Sequence, residues 1–182
     1  MVKLFLQRHT QPDVDAGVCY GVSDVPLATD FEQHHLPQVM DRLRGVCVEK
    51  IYSSPLQRCN ILARRIQESL NIKELTIDRR LMELNFGEWE LTSWDDIFAS
   101  DRGKEWFDDY LNCQPPKGEA FVEMIGRAES FLTEITSMKN STVLCVTHSG
   151  FMRAVLVASG RVTQQKAFDI KIEYGDLMKI QI

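Results

Sequence analysis

Short, nearly unbroken apolar runs alternate along this chain with stretches of helical periodicity, and that alternation limits the fold more than any other feature. Val2–Gln7 and Thr142–Val146 (T-V-L-C-V) are the clearest runs. Runs this short are strands rather than helices, and apolar side chains at successive positions mean that both faces of the strand are covered. Lys50–Ser53 and Leu75–Asp78 read as further strands. Helices are predicted from Thr29 or Asp30, either of which can cap, to about Arg44, and over Glu119–Met138 and Gly150–Ser159. Another is predicted from Ser53-Ser54-Pro55 to about Leu70, with a serine as cap and the proline in its first turn. Ile170–Ile182 reads as two strand-like pieces around Gly175. Strands alternating with helices predict an α/β protein, layered as an α/β/α sandwich about a mainly parallel sheet.

The 182 residues, 44% hydrophobic and 26% charged, suffice for one sizeable core. No linker, repeat or low-complexity tract divides the chain, so 1–182 is expected to be a single domain. Arg8–Ala28, with Pro12, Gly17, Gly21 and Pro26, reads as an ordered loop. A helical insertion is predicted around 84–116, where Trp89, Trp94, Trp106 and the Pro115-Pro116 pair fall. With 26 acidic against 21 basic residues the net charge is −5, which leaves no electrostatic footprint for nucleic acid. A small anionic ligand would need local positive charge, because the overall field repels it. Cysteines 19, 47, 59, 113 and 145 form no C-x-x-C pair, which predicts a reducing, cytoplasmic setting. The run Met1–Gln7 is too short for a secretory h-region, and no stretch approaches the ~20 apolar residues of a membrane span. Oligomeric state has no signature in the sequence.

The four histidines are the most informative residues. His9 follows the first strand directly and His148 follows the strand at 142–146. Ligands of open α/β sheets lie beyond the carboxyl ends of strands, so both imidazoles are predicted to face one crevice. A single histidine at a strand end is as readily a hydrogen-bonded structural residue; two at equivalent ends, one preceded by Arg8, argue for a site. Arg58 is placed one turn into the helix that follows the second strand, and His148-Ser149-Gly150 leads into another helix whose N–H groups can hold an anion. Two guanidiniums, two imidazoles and a helix N-terminus describe a site for a dianionic phosphate, which the planar fork of arginine can bind through two oxygens. A surface ion pair is the ordinary alternative for either arginine taken alone. His34 and His35 lie within a predicted helix, with at least one facing solvent, and lack the i, i+4 spacing of paired metal ligands.

These segments resemble the histidine phosphatase superfamily, the group that includes cofactor-dependent phosphoglycerate mutase. Leu6-Gln7-Arg8-His9-Thr10 is similar to its R-H-G/T signature, and Ser53-Ser54-Pro55-Leu56-Gln57-Arg58 to its second. Leu81 to Glu90 (L-M-E-L-N-F-G-E-W-E) resembles its acid-bearing segment, and Thr147-His148-Ser149-Gly150 its last, all in family order. Gly17–Leu27 and Phe86–Glu90 are most similar to the α-ribazole phosphatase branch. The resemblance implies a phosphoglycerate mutase-like fold and an enzyme that hydrolyses a small phosphorylated metabolite, α-ribazole 5′-phosphate or adenosylcobalamin 5′-phosphate, in cobalamin assembly. A phosphoglycerate mutase, a broad phosphatase and a non-catalytic phosphate-binding module are the other readings.

The same resemblance implies roles. His9 would attack phosphorus to give a phosphohistidine, and Arg8, Arg58 and His148, with Ser149, would hold the phosphoryl oxygens. Glu83 would protonate the leaving oxygen and then take a proton from water, with Glu88 and Glu90 as nearby alternatives. The attacking nitrogen needs a free lone pair, and a hydrogen bond from the other ring nitrogen to a carbonyl would fix the tautomer. No cofactor or metal is implied, the arginines taking the charge-clamping role. Two positions depart from the pattern: Thr10 stands where much of the superfamily has Gly, and Lys117-Gly118-Glu119-Ala120 where G-G-E-S is usual, which bears on any substrate contact at Glu119. Cys59 and Arg65 match the C-x5-R spacing of tyrosine phosphatases, but no glycine lies between them to form a cradle, so that reading is rejected. Tyr20, Phe86, Trp89, Trp94 and Trp106 could stack on a flat base or simply fill the core. Lys104, Lys117 and Lys139 are expected to be solvated.

Overall fold

The computed structural model describes residues 1–138 and 140–182, so Lys139 lies outside the described residues. Five strands, β1 (Lys3–Arg8), β2 (Lys50–Ser53), β3 (Glu74–Ile77), β4 (Thr142–Thr147) and β5 (Leu177–Gln181), form one sheet in the order β3-β2-β4-β1-β5. All pairings are parallel except β1 with β5. Side chains alternate across the central strands: Leu4, Leu6, Val143 and Cys145 face one core, while Phe5, Leu144 and Val146 face the other. On the second side pack α1 (Leu36–Arg42) and α2 (Gln57–Leu70), the latter burying Cys59, Leu62, Ala63 and Ile66 at helical spacing. On the first side lie α5 (Phe121–Thr136) and α6 (Ser149–Ala158), making an α/β/α sandwich. Two short helices, α3 (Trp94–Ala99) and α4 (Asp101–Asp108), bring Trp94 and Trp106 against this core with Trp89. No helix is long and apolar enough to cross a membrane among the described residues.

Chain order places the crevice. From β1 the chain crosses to β2 on one side of the β4–β1 pair; from β4 it crosses to β5 on the other. The two connections therefore part above adjacent strand ends, the switch point at which α/β sheets open a ligand crevice. His9 and His148 are the residues immediately beyond those two ends.

Several local expectations are corrected. α2 starts at Gln57, not at Pro55, and neither serine caps it. Asp24 does so from a distant loop, its carboxylate accepting the Gln57 N–H at 2.6 Å, and Arg58 falls in the first turn. The first helix opens as a π turn over Phe31–His35, where Pro37 has no N–H to continue the ordinary ladder. Asp30 does not cap it; its carboxylate meets exposed His34 and half-buried His35 at 3.3 and 3.2 Å. Ile170–Asp176 is not a strand. Three of its carbonyls accept side chains, Ile170 from Arg153, Ile172 from Arg8 and Gly175 from Arg42, and its backbone meets β1 and His9 only at the end next to β5, where Arg8 N–H donates to Asp176 O and Gly175 N–H to His9 O. Lys104 and Lys117 are exposed, as expected of solvated side chains, and lie beside Asp101 and Glu88.

Candidate active site

A cavity of about 640 Å³ opens at the switch point. Arg8, His9, Glu83 and Ser149 line it, and His148 and Arg58 lie fully buried behind them. His9, at the end of β1, is itself only 1% exposed. Its Nδ1 lies 2.7 Å from the Thr10 carbonyl oxygen. A carbonyl can only accept, so Nδ1 carries the proton and Nε2 keeps its lone pair. Burial, the Arg58 charge and the Arg8 charge hold the His9 pKa well below 6.5. The ring is thus neutral, desolvated and bare at one nitrogen.

The His148 ring stands 5.2 Å from that of His9, centroid to centroid. Its Nε2 is 2.9 Å from Ser54 Oγ, with Cys59 Sγ at 3.4 Å. Burial lowers its pKa as well, followed by the charge of Arg58. Cys59 is a buried thiol at helical spacing, with its pKa raised by desolvation, so it packs against the site rather than acting as a tyrosine-phosphatase nucleophile.

The arginines are fixed by carbonyls rather than carboxylates. Arg58 donates through Nη2 to Gly21 O at 2.6 Å and through Nη1 to Ser23 O at 2.8 Å. Gly21 must be glycine there, since a Cβ would sit 1.9 Å from the Leu84 carbonyl. Arg8 donates to Ile172 O at 2.6 Å, and the Tyr174 ring lies 3.9 Å from its guanidinium carbon. Neutral acceptors hold the geometry without discharging the cations, and the buried Nε atoms of both have no partner. The charge stays available for an anion.

Glu83 sits on an irregular segment between β3 and α3, its carboxylate oxygens accepting Leu84 N–H at 3.0 Å and Gly150 N–H at 3.1 Å. The Gly150 N–H in the first turn of α6 is therefore taken by the Glu83 side chain instead of being left for substrate. Gly150 permits this: a Cβ would come within 2.1 Å of Glu83 Oε1. Of the neighbouring carboxylates, Glu88 is paired with Lys117, and Glu90 accepts the N–H groups of Val22 and Ser23 at 2.9 Å each, fastening the Gly21–Ser23 loop. Glu119 makes a bidentate pair with Arg127 at 2.6 and 2.8 Å. Among the described residues no group of three or more His, Cys, Asp or Glu is placed to hold a metal ion.

Beyond the two imidazoles the cavity is walled by Phe86, Trp94, Trp106, Phe121 and Phe168. Trp94 and Trp106 stack nearly parallel, at 29°. Two polar cavity residues near the imidazoles carried no sequence expectation. Arg153 lies one turn after Ser149 on the same face of α6, a spacing that could have revealed it. Tyr174 comes from the irregular loop before β5 and meets Tyr20, hydroxyl to hydroxyl; no local pattern marks it.

Comparison with known proteins matches residues 4–182 to a family described as the histidine phosphatase superfamily, branch 1. The adenosylcobalamin/alpha-ribazole phosphatase of Salmonella typhimurium is 24% identical over 185 residues, 100% of this chain and 91% of that protein. Phosphoserine phosphatase 1 of Hydrogenobacter thermophilus is 27% identical over 162 residues, 87% of this chain and 76% of the relative. Among solved structures, the alpha-ribazole phosphatase from Shigella flexneri shares the fold with a TM-score of 0.87 at 22% identity, over 99% of this chain and 90% of that one.

Proposed function

Since the chain belongs to the histidine phosphatase superfamily, we propose that it is a phosphomonoesterase that works through a phosphohistidine at His9 and without a metal ion. The observation that carries this reading is the His9 imidazole, neutral and bare at Nε2 between two uncompensated guanidiniums. Nε2 attacks phosphorus as the ester P–O bond breaks, and the departing oxygen takes the proton of the Glu83 carboxyl group. Water then attacks the phosphorus, Glu83 takes its proton, and the P–N bond breaks to return the lone pair to His9. Arg8, Arg58 and His148 meet the charge on the phosphoryl oxygens, with Ser149 at the cavity wall.

The substrate we infer is α-ribazole 5′-phosphate or the adenosylcobalamin 5′-phosphate that carries the same nucleotide. The aromatic wall beyond the phosphate end supports it, because a flat base gains more there than an aliphatic leaving group does. The similarity to the named alpha-ribazole phosphatases points the same way. All five cysteines are free, which fits a cytoplasmic enzyme.

A second reading rests on Arg153. Burial lowers its pKa, and its buried Nε has no partner. A cation left in this state at a cavity wall suits a leaving group that carries a carboxylate, as in phosphoserine.

A panel of α-ribazole 5′-phosphate, phosphoserine, 3-phosphoglycerate, sugar phosphates and nucleotides separates these readings by kcat/KM. The expected result is a preference of about fivefold or more for the ribazole compound, as one good aromatic stacking contact supplies ~1 kcal/mol beyond burial. Preference for phosphoserine would favour the Arg153 reading. Phosphoryl transfer to a second hydroxyl instead of water would make the enzyme a mutase.

A further inference from the structure

The segment that delivers Glu83 belongs to no strand and to no long helix, yet three successive carbonyls in it are held. Thr147 Oγ1 donates to Leu81 O at 2.7 Å, and a single nitrogen of Arg127, Nη1, donates to both Arg80 O and Met82 O, the second at 3.2 Å. Arg127 stands on α5, and its remaining donors, Nε and Nη2, are engaged by the two oxygens of Glu119. The pair is well shielded, with side chains 23% and 17% exposed, and a bidentate fork at that depth has one orientation. Lysine could not reproduce it, having a point charge where three separate directions are used.

We propose that Arg127, oriented by Glu119, is a positioning residue for Glu83. Held rigid, Met82 O fixes where the next residue leaves the segment, and the Glu83 carboxylate then reaches the N–H groups of Leu84 and Gly150. Glu119 accordingly acts on the acid from behind, rather than on substrate. The inference rests on the general-acid role proposed above for Glu83. Arg127 also lowers the pKa of His148 through its charge, but a disturbance passed through His148 would slow every phosphate ester alike. One passed through Glu83 spares the leaving-group step of esters whose leaving group needs no proton.

The test compares the single-turnover rate of leaving-group release, which precedes the hydrolysis step shared by all esters, for an alkyl phosphate, phosphoserine, and for p-nitrophenyl phosphate in Glu83→Gln, Arg127→Met, Glu119→Gln and the double variant Glu83→Gln/Arg127→Met. General acid catalysis is worth about 10²–10⁴-fold, so Glu83→Gln should lose about that on the alkyl ester and far less on the aryl one. Arg127→Met should lose at least about tenfold on the alkyl ester with the aryl rate nearly kept, and add little to Glu83→Gln in the double variant, the pattern of residues acting as a unit. Equal loss on both esters, full additivity, or an unchanged alkyl rate overturns the proposal. If Arg127→Met does not fold, the isosteric Glu119→Gln carries the same test. If Glu83→Gln itself fails to discriminate, the acid role falls. Hydrogen exchange at Leu84 and Gly150 then still decides the positioning claim: faster exchange in Arg127→Met supports it, and unchanged exchange overturns it.

Discussion

His9 and His148 are two imidazoles that the fold keeps neutral, and the cost appears on acidification. Both have folded-state pKa values depressed below the ordinary 6.5, through burial first and the Arg58 charge second. Below about pH 6.5 the unfolded chain binds protons at these residues and the native protein does not, so stability falls as pH drops from there. Above that pH both states are neutral and the two residues contribute no slope. Denaturant melts at pH 7.5 and 5.5 check this. Wild type should lose more stability between them than His9→Ala, which has one such residue fewer; equal losses would contradict the neutral assignment. Exposed His34 and half-buried His35, beside Asp30, are common to both proteins and cancel.

The elements most legible in the sequence are those whose period is complete. β1 and β4 alternate between two cores, and α2 buries Cys59, Leu62, Ala63 and Ile66 along one stripe, so local pattern and tertiary burial agree. Leu62→Ala should therefore cost about 2–5 kcal/mol, since its side chain is fully buried at the centre of that stripe. Urea denaturation measures it, and a loss below ~1 kcal/mol would mean that the α2 face is not packed as described. Legibility fails where a distant group replaces a local one. Ser53 and Ser54 are the caps the sequence offers to α2, but Asp24 caps it across a loop. Ile170–Asp176 has the composition of a strand, but side chains from β1, α1 and α6 take the carbonyls of Ile170, Ile172 and Gly175. Neither substitution leaves a mark within a window of neighbouring residues.

At the scale of the whole molecule, a net charge of −5 coexists with a small positive focus. Arg8 and Arg58 remain uncompensated because backbone carbonyls rather than carboxylates hold them. That Arg8, His9, Arg58 and His148 gather at one place was legible because each lies near a strand end at the switch point: Arg8 closes β1, His9 follows it, Arg58 sits in the first turn after β2, and His148 follows β4. Arg127 and Tyr174 were not, because their places depend on how α5 and the C-terminal loop pack onto that edge. Covalent chemistry at His9 is the central claim. Rapid mixing with a labelled phosphomonoester in the presence of EDTA, quenched at neutral pH and mapped by mass spectrometry, tests it most directly. A phosphoryl group should appear on His9 of the wild type before product accumulates, accumulate further in Glu83→Gln when an aryl phosphate is used, and be absent from His9→Ala. A wild type that turns over substrate without ever labelling, or a His9→Ala variant that still labels, would contradict the account.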